Sequence, residues 1–268
     1  MIVSVVIPTY NRLYALAELL ESLSRQSYQS FEVIIVNDAG EPVDELLMLY
    51  KELKIKIINQ ENNIHHVQAR NIGVTHARAD WIMLIDDDDL LLPFHIEQMV
   101  EESKGYDLVY TDVEIVNYQS IKNTRHAKSR FLFAYTYDLE AMRKFSTYVP
   151  SGSLFRKQTY EQLGGFDPAM RNYWDWDFFL RVADKFQVKR VPVASVLYAF
   201  SDTGDNQSSQ LSVMRTYLDR LCEKHNLGHL PTKNFFLLLE EDAVKERQAT
   251  SEVRWDGKPT ISRLLSKQ

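Results

Sequence analysis

At 268 residues, with 45% hydrophobic and 25% charged side chains, the chain holds enough apolar material for one large α/β domain, or one domain with an appendage. A formal net charge of −6 argues against a general nucleic-acid binder, and a single cysteine, Cys222, excludes a disulfide framework or cysteine-based zinc site and fits a reducing compartment. The start of the chain has no basic residue and too short an apolar run for a signal peptide, and no apolar stretch reaches the roughly 18 residues of a membrane span, so a cytoplasmic protein is expected, its membrane association at most peripheral, at the inner face.

Residues 2–7 are mostly β-branched and stop at Pro8, which predicts a strand buried on both faces. Beyond the loop Thr9-Tyr10-Asn11-Arg12, Leu13, Leu16, Leu20 and Leu23 recur at helical spacing. Residues 31–36 predict a second buried strand, ended by Asn37-Asp38-Ala39-Gly40. A helix over 44–53, a strand over 55–58, a helix over 67–76 and a strand over 81–85 complete the first half. Strand and helix alternating in this way predict an α/β fold with a doubly wound, mainly parallel sheet. Ligands of such sheets sit beyond the carboxyl ends of the strands, where this chain places Thr9–Arg12, Asn37–Gly40 and Asp86–Asp89. The second half is less regular: a strand over 107–116, a helix over 157–163 closed by Gly164-Gly165, a helix over 174–185 and a last strand over 196–200. A polar loop at 201–209 precedes a helical stretch at 211–247 and a polar, loosely ordered tail.

Asp86-Asp87-Asp88-Asp89 is the sharpest local signal. Four adjacent carboxylates repel one another, and a divalent cation of the Mg²⁺ or Mn²⁺ kind would resolve the conflict, completing its shell with phosphate oxygens and water. A solvated acidic turn, or a helix cap before Pro93, explains the same four residues without a ligand.

The wider pattern is more specific. Residues 3–12, Phe31 to Asp38, Ala69-Arg70-Asn71-Ile72-Gly73, Trp81 to Asp89, Gly164-Gly165-Phe166-Asp167 and Asp175 to Arg181 together resemble the family-2 glycosyltransferases of GT-A fold, in order and spacing over roughly residues 2–209. The resemblance implies a nucleotide-sugar-binding half (1–105), an acceptor half (106–210) and a C-terminal helical extension with tail (211–268), the extension being a candidate surface for a homodimer. It implies that Pro8, Thr9, Tyr10, Arg12, Asp38, Arg70, Asp86 and Asp87 bind the donor. Tyr10 would stack on the base, Asp38 would meet its imide edge, and Arg70 would support that side through Asp38 or by direct contact. Asp86 would touch the ribose or sugar, and Asp88 would ligate Mn²⁺ or Mg²⁺.

Asp175 would be the general base, although Trp174 stands where the family carries a glutamate. Asp177, two positions on, faces elsewhere and is expected to pair with Arg181 at i+4. Tyr173, Trp174 and Trp176 suit either an acceptor-side sugar wall or aromatic core packing. The Arg and His that many relatives carry near residue 199 are missing. Asp202 or Asp205 could stand in, or Asp88 could act alone, and Asn206 and Ser208 fit a flap. His65 and His66 suit surface or supporting roles better than a metal site.

The expected activity is an inverting transfer from a UDP- or dTDP-type sugar to a hydroxyl of a glycan, lipid-linked or protein acceptor, in cell-surface polysaccharide or glycoconjugate synthesis. A nucleotidyltransferase is the alternative within chemistry, but the loop after the first strand has no glycine; an inactive nucleotide-sugar-binding protein is the alternative outside it.

Overall fold

The computed structural model describes residues 2–200, 211–233 and 235–267. β1 (Val3–Thr9) and β2 (Phe31–Asn37) are buried at every position, as largely apolar runs between two helical layers should be, with the buried Ser4 hydroxyl donating to Glu32 across the pair at 2.7 Å. β3 (Ile55–Asn59) extends the sheet beyond β2, and β4 (Trp81–Leu84) lies on the other side of β1, all in parallel. Alternate side chains sort to opposite faces. Val3, Val5 and Ile7 pack with Leu16, Leu19 and Leu20 of α1 (Leu13–Ser24), while Val6, Ile34 and Val36 pack with Val67 and Val74 of α3 (His65–His76). α3 rides so close to β1 that a Cβ on Gly73 would stand 2.3 Å from Val6 Cγ1. Between them, α2 (Glu45–Leu49) is shorter than the sequence suggests, because Tyr50 turns inward and its hydroxyl donates to the Ala17 carbonyl at 2.7 Å.

The second half holds β5 (Leu90–Leu91), α4 (His95–Glu102), β6 (Leu108–Ile121), β7 (Thr124–Phe133), α5 (Leu139–Met142), β8 (Leu154–Arg156), α6 (Lys157–Gln162), α7 (Trp174–Lys185) and β9 (Val188–Phe200). After these come α8 (Leu211–His225), α9 (Phe235–Leu239), α10 (Asp242–Lys245) and β10 (Glu252–Val253). The sheet runs β10-β9-β6-β8-β4-β1-β2-β3, with β5 on β9 and β7 on β6. β8 enters antiparallel to both neighbours, so the sheet is mainly but not wholly parallel.

Several expectations change here. The strand expected over 107–116 continues to residue 121 and folds back as the β6–β7 hairpin. Its turn uses Lys122 and Asn123, both at positive φ, where no glycine marked it. β9 starts eight residues earlier than expected; Pro192 interrupts its apolar run, and the register with β6 shifts at Thr111–Val113. The run 211–247 is not one helix: α8 stops before Asn226 and Gly228, both at positive φ, and only two short helices follow. The tail is not loose either. Ser262 and Leu264 are buried, and Arg263 donates to the Leu49 carbonyl at 2.8 Å and pairs with Glu21 at 3.3 Å. The helical extension is therefore a mixed segment that returns to α1 and α2.

Candidate functional site

The carboxyl ends of β1, β2 and β4 meet the start of α7 around a cleft of about 440 Å³. Pro8, Thr9, Tyr10, Arg12, Asp38, Arg70, Asp86, Asp87, Asp88, Trp174 and Asp175 all line it, whereas Tyr173 and Trp176 do not. Two close approaches shape its rim. Gly40 stands where a Cβ would lie 2.8 Å from the Asn11 backbone nitrogen, and Asn11 Oδ1 accepts from the Glu41 N–H at 2.8 Å, joining the first two strand-end loops. Tyr10 is 50% exposed, so it is no core aromatic and its ring face is available.

The acidic run resolves its repulsion by spreading its members onto different partners. Asp86 pairs with Arg70. Asp87, buried, accepts from Thr9 Oγ1 at 2.7 Å and pairs with Arg12 at 3.3 Å. Asp88 pairs with Arg12 while its backbone carbonyl accepts from Arg125 Nη1 at 2.6 Å. Asp89 turns inward and accepts from the Ala199 N–H at 2.7 Å, tying this loop to the end of β9. Burial, then the neighbouring Asp88, pushes Asp87 up to about 7; burial likewise raises Asp88.

Arg70 therefore serves Asp86, and not Asp38 as one reading of the sequence had it. Its guanidinium lies 4.4 Å from the centre of the Trp174 ring and donates to the His66 carbonyl at 3.0 Å. Burial, then this cation, holds His66 down at about 3, so the ring is neutral and its Nδ1 accepts from Arg70 at 2.8 Å. Asp38 accepts from the Ile64 N–H at 2.7 Å, which sets the entry to α3 beside the cleft. The rest of the Ala-Arg-Asn-x-Gly block is structural. Asn71 Oδ1 accepts from Tyr160 Oη at 2.7 Å and from the Phe166 N–H at 3.1 Å, stapling α3 to the Gly164-Gly165-Phe166-Asp167 loop.

Asp175 and Asp177 have opposite surroundings. Asp175 is partly buried in the cleft wall, and burial pushes it up to about 6. Asp177 has no exposed surface; burial opposes its charge, but the His225 hydrogen bond at 2.8 Å, Arg181 at 2.8 Å and Lys224 at 2.8 Å outweigh it and hold the carboxyl down at about 2. Arg181 also donates to the Leu163 and Gly165 carbonyls, both at 2.8 Å. The cluster thus locks α7 to α8 and to the glycine loop, and so fixes Asp175.

A second cavity of about 740 Å³ adjoins the cleft. The two share Pro150, Asn172, Asp175, Tyr198, Phe200 and Met214. Trp176 lines the larger one with its indole N–H given to the Met142 carbonyl at 2.8 Å. Trp174 belongs to the smaller, and both rings are under a tenth exposed, so packing accounts for most of their surface. Pro150, Arg171, Asn172 and Met214 escaped the sequence reading. Arg171 and Asn172 directly precede the aromatic block, which is a usable signal; Pro150 and Met214 carry none. Asp202, Asp205, Asn206 and Ser208 lie outside the described residues.

Among the described residues no three His, Cys, Asp or Glu side chains converge as a ready metal cage. The donor set nonetheless fits Mg²⁺ or Mn²⁺: hard carboxylate oxygens, at strand ends, in a cleft large enough for phosphate oxygens to complete the shell.

Residues 4–164 match the family described as Glycosyl transferase family 2. An uncharacterized glycosyltransferase of Bacillus subtilis, YwdF, is 58% identical over 263 residues, 98% of each chain. The amylovoran biosynthesis glycosyltransferase AmsB of Erwinia amylovora is 29% identical over 72% of this chain and 67% of its own. Two solved structures share the fold. One is S. aureus TarS 1-349 in complex with UDP-GlcNAc, at TM-score 0.67 and 17% identity over 84% of this chain and 66% of that one. The other is the mannosyltransferase PcManGT of Pyrobaculum calidifontis with GDP-Man and Mn²⁺, at TM-score 0.59 and 14% identity over 85% and 65%.

Proposed function

The chain belongs to glycosyltransferase family 2, and from that premise we propose that it transfers a sugar, with inversion, from a uridine or thymidine diphosphate sugar to an acceptor hydroxyl. The observation that carries this reading is the position of Asp175, in the wall shared by the two cavities, with its carboxyl pushed up to about 6. In this reading the smaller cleft takes the donor, chiefly on the strand-end loops of residues 1–105, and the larger takes the acceptor, between residues of 106–210 and others from 214 to 247. Tyr10 offers its exposed face to the base and Asp38 its carboxylate to an imide N–H. Arg12, 46% exposed at its side chain, is long enough to exchange Asp88 for a phosphate oxygen. Arg70 holds Asp86 toward the ribose or sugar.

In the displacement the acceptor oxygen bonds to the anomeric carbon as the bond from that carbon to the diphosphate oxygen breaks, and Asp175 takes the hydroxyl proton. Asp88 would hold Mn²⁺ or Mg²⁺, which supplies charge neutralisation to the departing nucleoside diphosphate. The complexes of TarS with UDP-GlcNAc and of PcManGT with GDP-Man and Mn²⁺ support a nucleotide-sugar donor and a divalent ion. The likeness to AmsB supports a place in polysaccharide or glycoconjugate synthesis.

Nucleoside diphosphate release from a panel of UDP-, dTDP- and GDP-sugars tests the assignment. Asp175→Asn should cut turnover by about 10²–10⁴ with nucleoside diphosphate affinity unchanged. A raised pKa leaves Asp175 ionised, and able to accept a proton, only above about pH 6. Wild-type kcat/KM should therefore fall as pH drops below that value. An active Asp175→Asn beside an inactive Asp177→Asn would refute the assignment.

A further inference from the structure

The larger cavity is built for something other than a free sugar. Its volume of about 740 Å³ is that of a pocket for a sizeable small molecule, yet most polar groups on its wall already have partners. Arg247 gives its guanidinium to Thr147 Oγ1 at 2.9 Å and the Phe145 carbonyl at 3.2 Å. Lys233 pairs with Glu241, and Asp138 caps α5 through the Ala141 N–H at 3.0 Å. Trp176 has spent its only donor. The rest of the lining is largely aliphatic and aromatic, with Phe133, Val149, Leu218, Phe235 and Leu238 among others, beside the exposed, charged Glu140 and Lys144. A sugar ring brings several hydroxyls that would lose water here without replacement, whereas hydrocarbon loses nothing and gains burial.

The apolar surface also continues outward. Phe235 and Leu238 of α9 line the cavity, while their neighbours Phe236 and Leu237 are 40% and 64% exposed, with Phe236 centred 4.9 Å from Phe200 and 6.3 Å from Phe131. The cavity also reaches Asp175.

We propose that the acceptor hydroxyl is carried on a hydrocarbon chain, and that this cavity houses the chain while the hydroxyl reaches Asp175. The inference rests on Asp175 being the base. It names the acceptor class as an amphiphile whose apolar part leaves the protein beside Phe236 and Leu237.

The probe is a series of alkyl maltosides, octyl to dodecyl, with a bromine on the chain and used below their micelle concentrations. Bromine near Trp176 should quench its fluorescence saturably, and Trp176→Phe should lose that component. Affinity should rise by about fourfold per methylene housed, and maltose alone should neither quench nor compete. Leu238→Arg, which puts a charge on the wall, and Val149→Phe, which fills the space, should each weaken binding at least tenfold at unchanged melting temperature. Equal competition by maltose, or undiminished quenching in both variants, overturns the proposal. UDP binding, measured by calorimetry on the same protein, keeps the two readings apart. Its failure counts against the donor assignment, and absent quenching with UDP bound counts against the hydrocarbon chain.

Discussion

The two halves of the chain hold their functional groups by different means. On the proposed donor side the groups sit at the ends of β1, β2 and β4, which pair in parallel within the sheet. The backbone does the positioning, and the side chains are free to carry charge. On the proposed acceptor side Asp175 stands on a helix outside the sheet, placed by side chains: Asp177 with Arg181, Lys224 and His225, and Asn71 with Phe166. Function and stability should therefore separate cleanly in the first half and be entangled in the second.

The largest effect expected from this contrast is on stability. Asp177→Asn removes the anion from among three cationic or donor groups in a fully buried site, which should cost about 3–5 kcal/mol, read by chemical denaturation. The pH dependence has a definite sign. Because the folded carboxyl is held down at about 2, its contribution is complete above the unfolded value near 4 and is lost as pH falls from about 4 toward 2. The gap between variant and wild type should narrow over that window by about 2.6 kcal/mol; a gap unchanged down to pH 2 would mean the cluster works by shape and not by charge. Next comes Asp88→Asn, on the donor side, which should lower turnover by about 10²–10³, the scale of a lost electrostatic stabiliser, and abolish stimulation by Mn²⁺ or Mg²⁺. Its unfolding midpoint should stay put, since Asp88 is 29% exposed. Wild-type activity of Asp88→Asn in a chelator would remove the metal from the mechanism. The smallest effect is Asp38→Ala, which should weaken nucleoside diphosphate binding by about 1.5–3 kcal/mol in calorimetry. Unchanged affinity would leave Asp38 as the keeper of the Ile64 N–H alone.

The same contrast explains what could be read from the sequence. β1, β2 and β4 are largely apolar runs ending in polar loops, and a strand end announces itself one residue at a time. The loops at 9–12, 37–40 and 86–89 accordingly converge where the pattern put them. The β6–β7 hairpin stayed hidden because β7, from Thr124 to Arg130, has Ala127 as its one apolar residue and turns on Lys122-Asn123 without glycine. The resemblance leaves open whether Arg70 acts through Asp38 or directly; its pairing with Asp86 and its stacking on Trp174 depend on the three-dimensional approach of α3 to the acidic loop and to α7. Of the larger cavity the sequence shows only the stretch Tyr173, Asp175 and Trp176. Its walls come from segments more than a hundred residues apart, such as Phe133 and Phe235, and no spacing rule joins them.

Gly73 carries no charge and touches no part of the cleft, yet the clearance it creates governs one. α3 descends to within a methyl group's width of Val6, and Arg70 lies on the same helix about 4.5 Å nearer the cleft along its axis. The helix is a stiff lever whose fulcrum is a missing side chain. Any residue with a Cβ would lift it from the sheet and carry the guanidinium away from Asp86 and off the face of Trp174. The tolerance of the acidic loop's charge balance is thus set in the core, by a space too small for a single carbon atom.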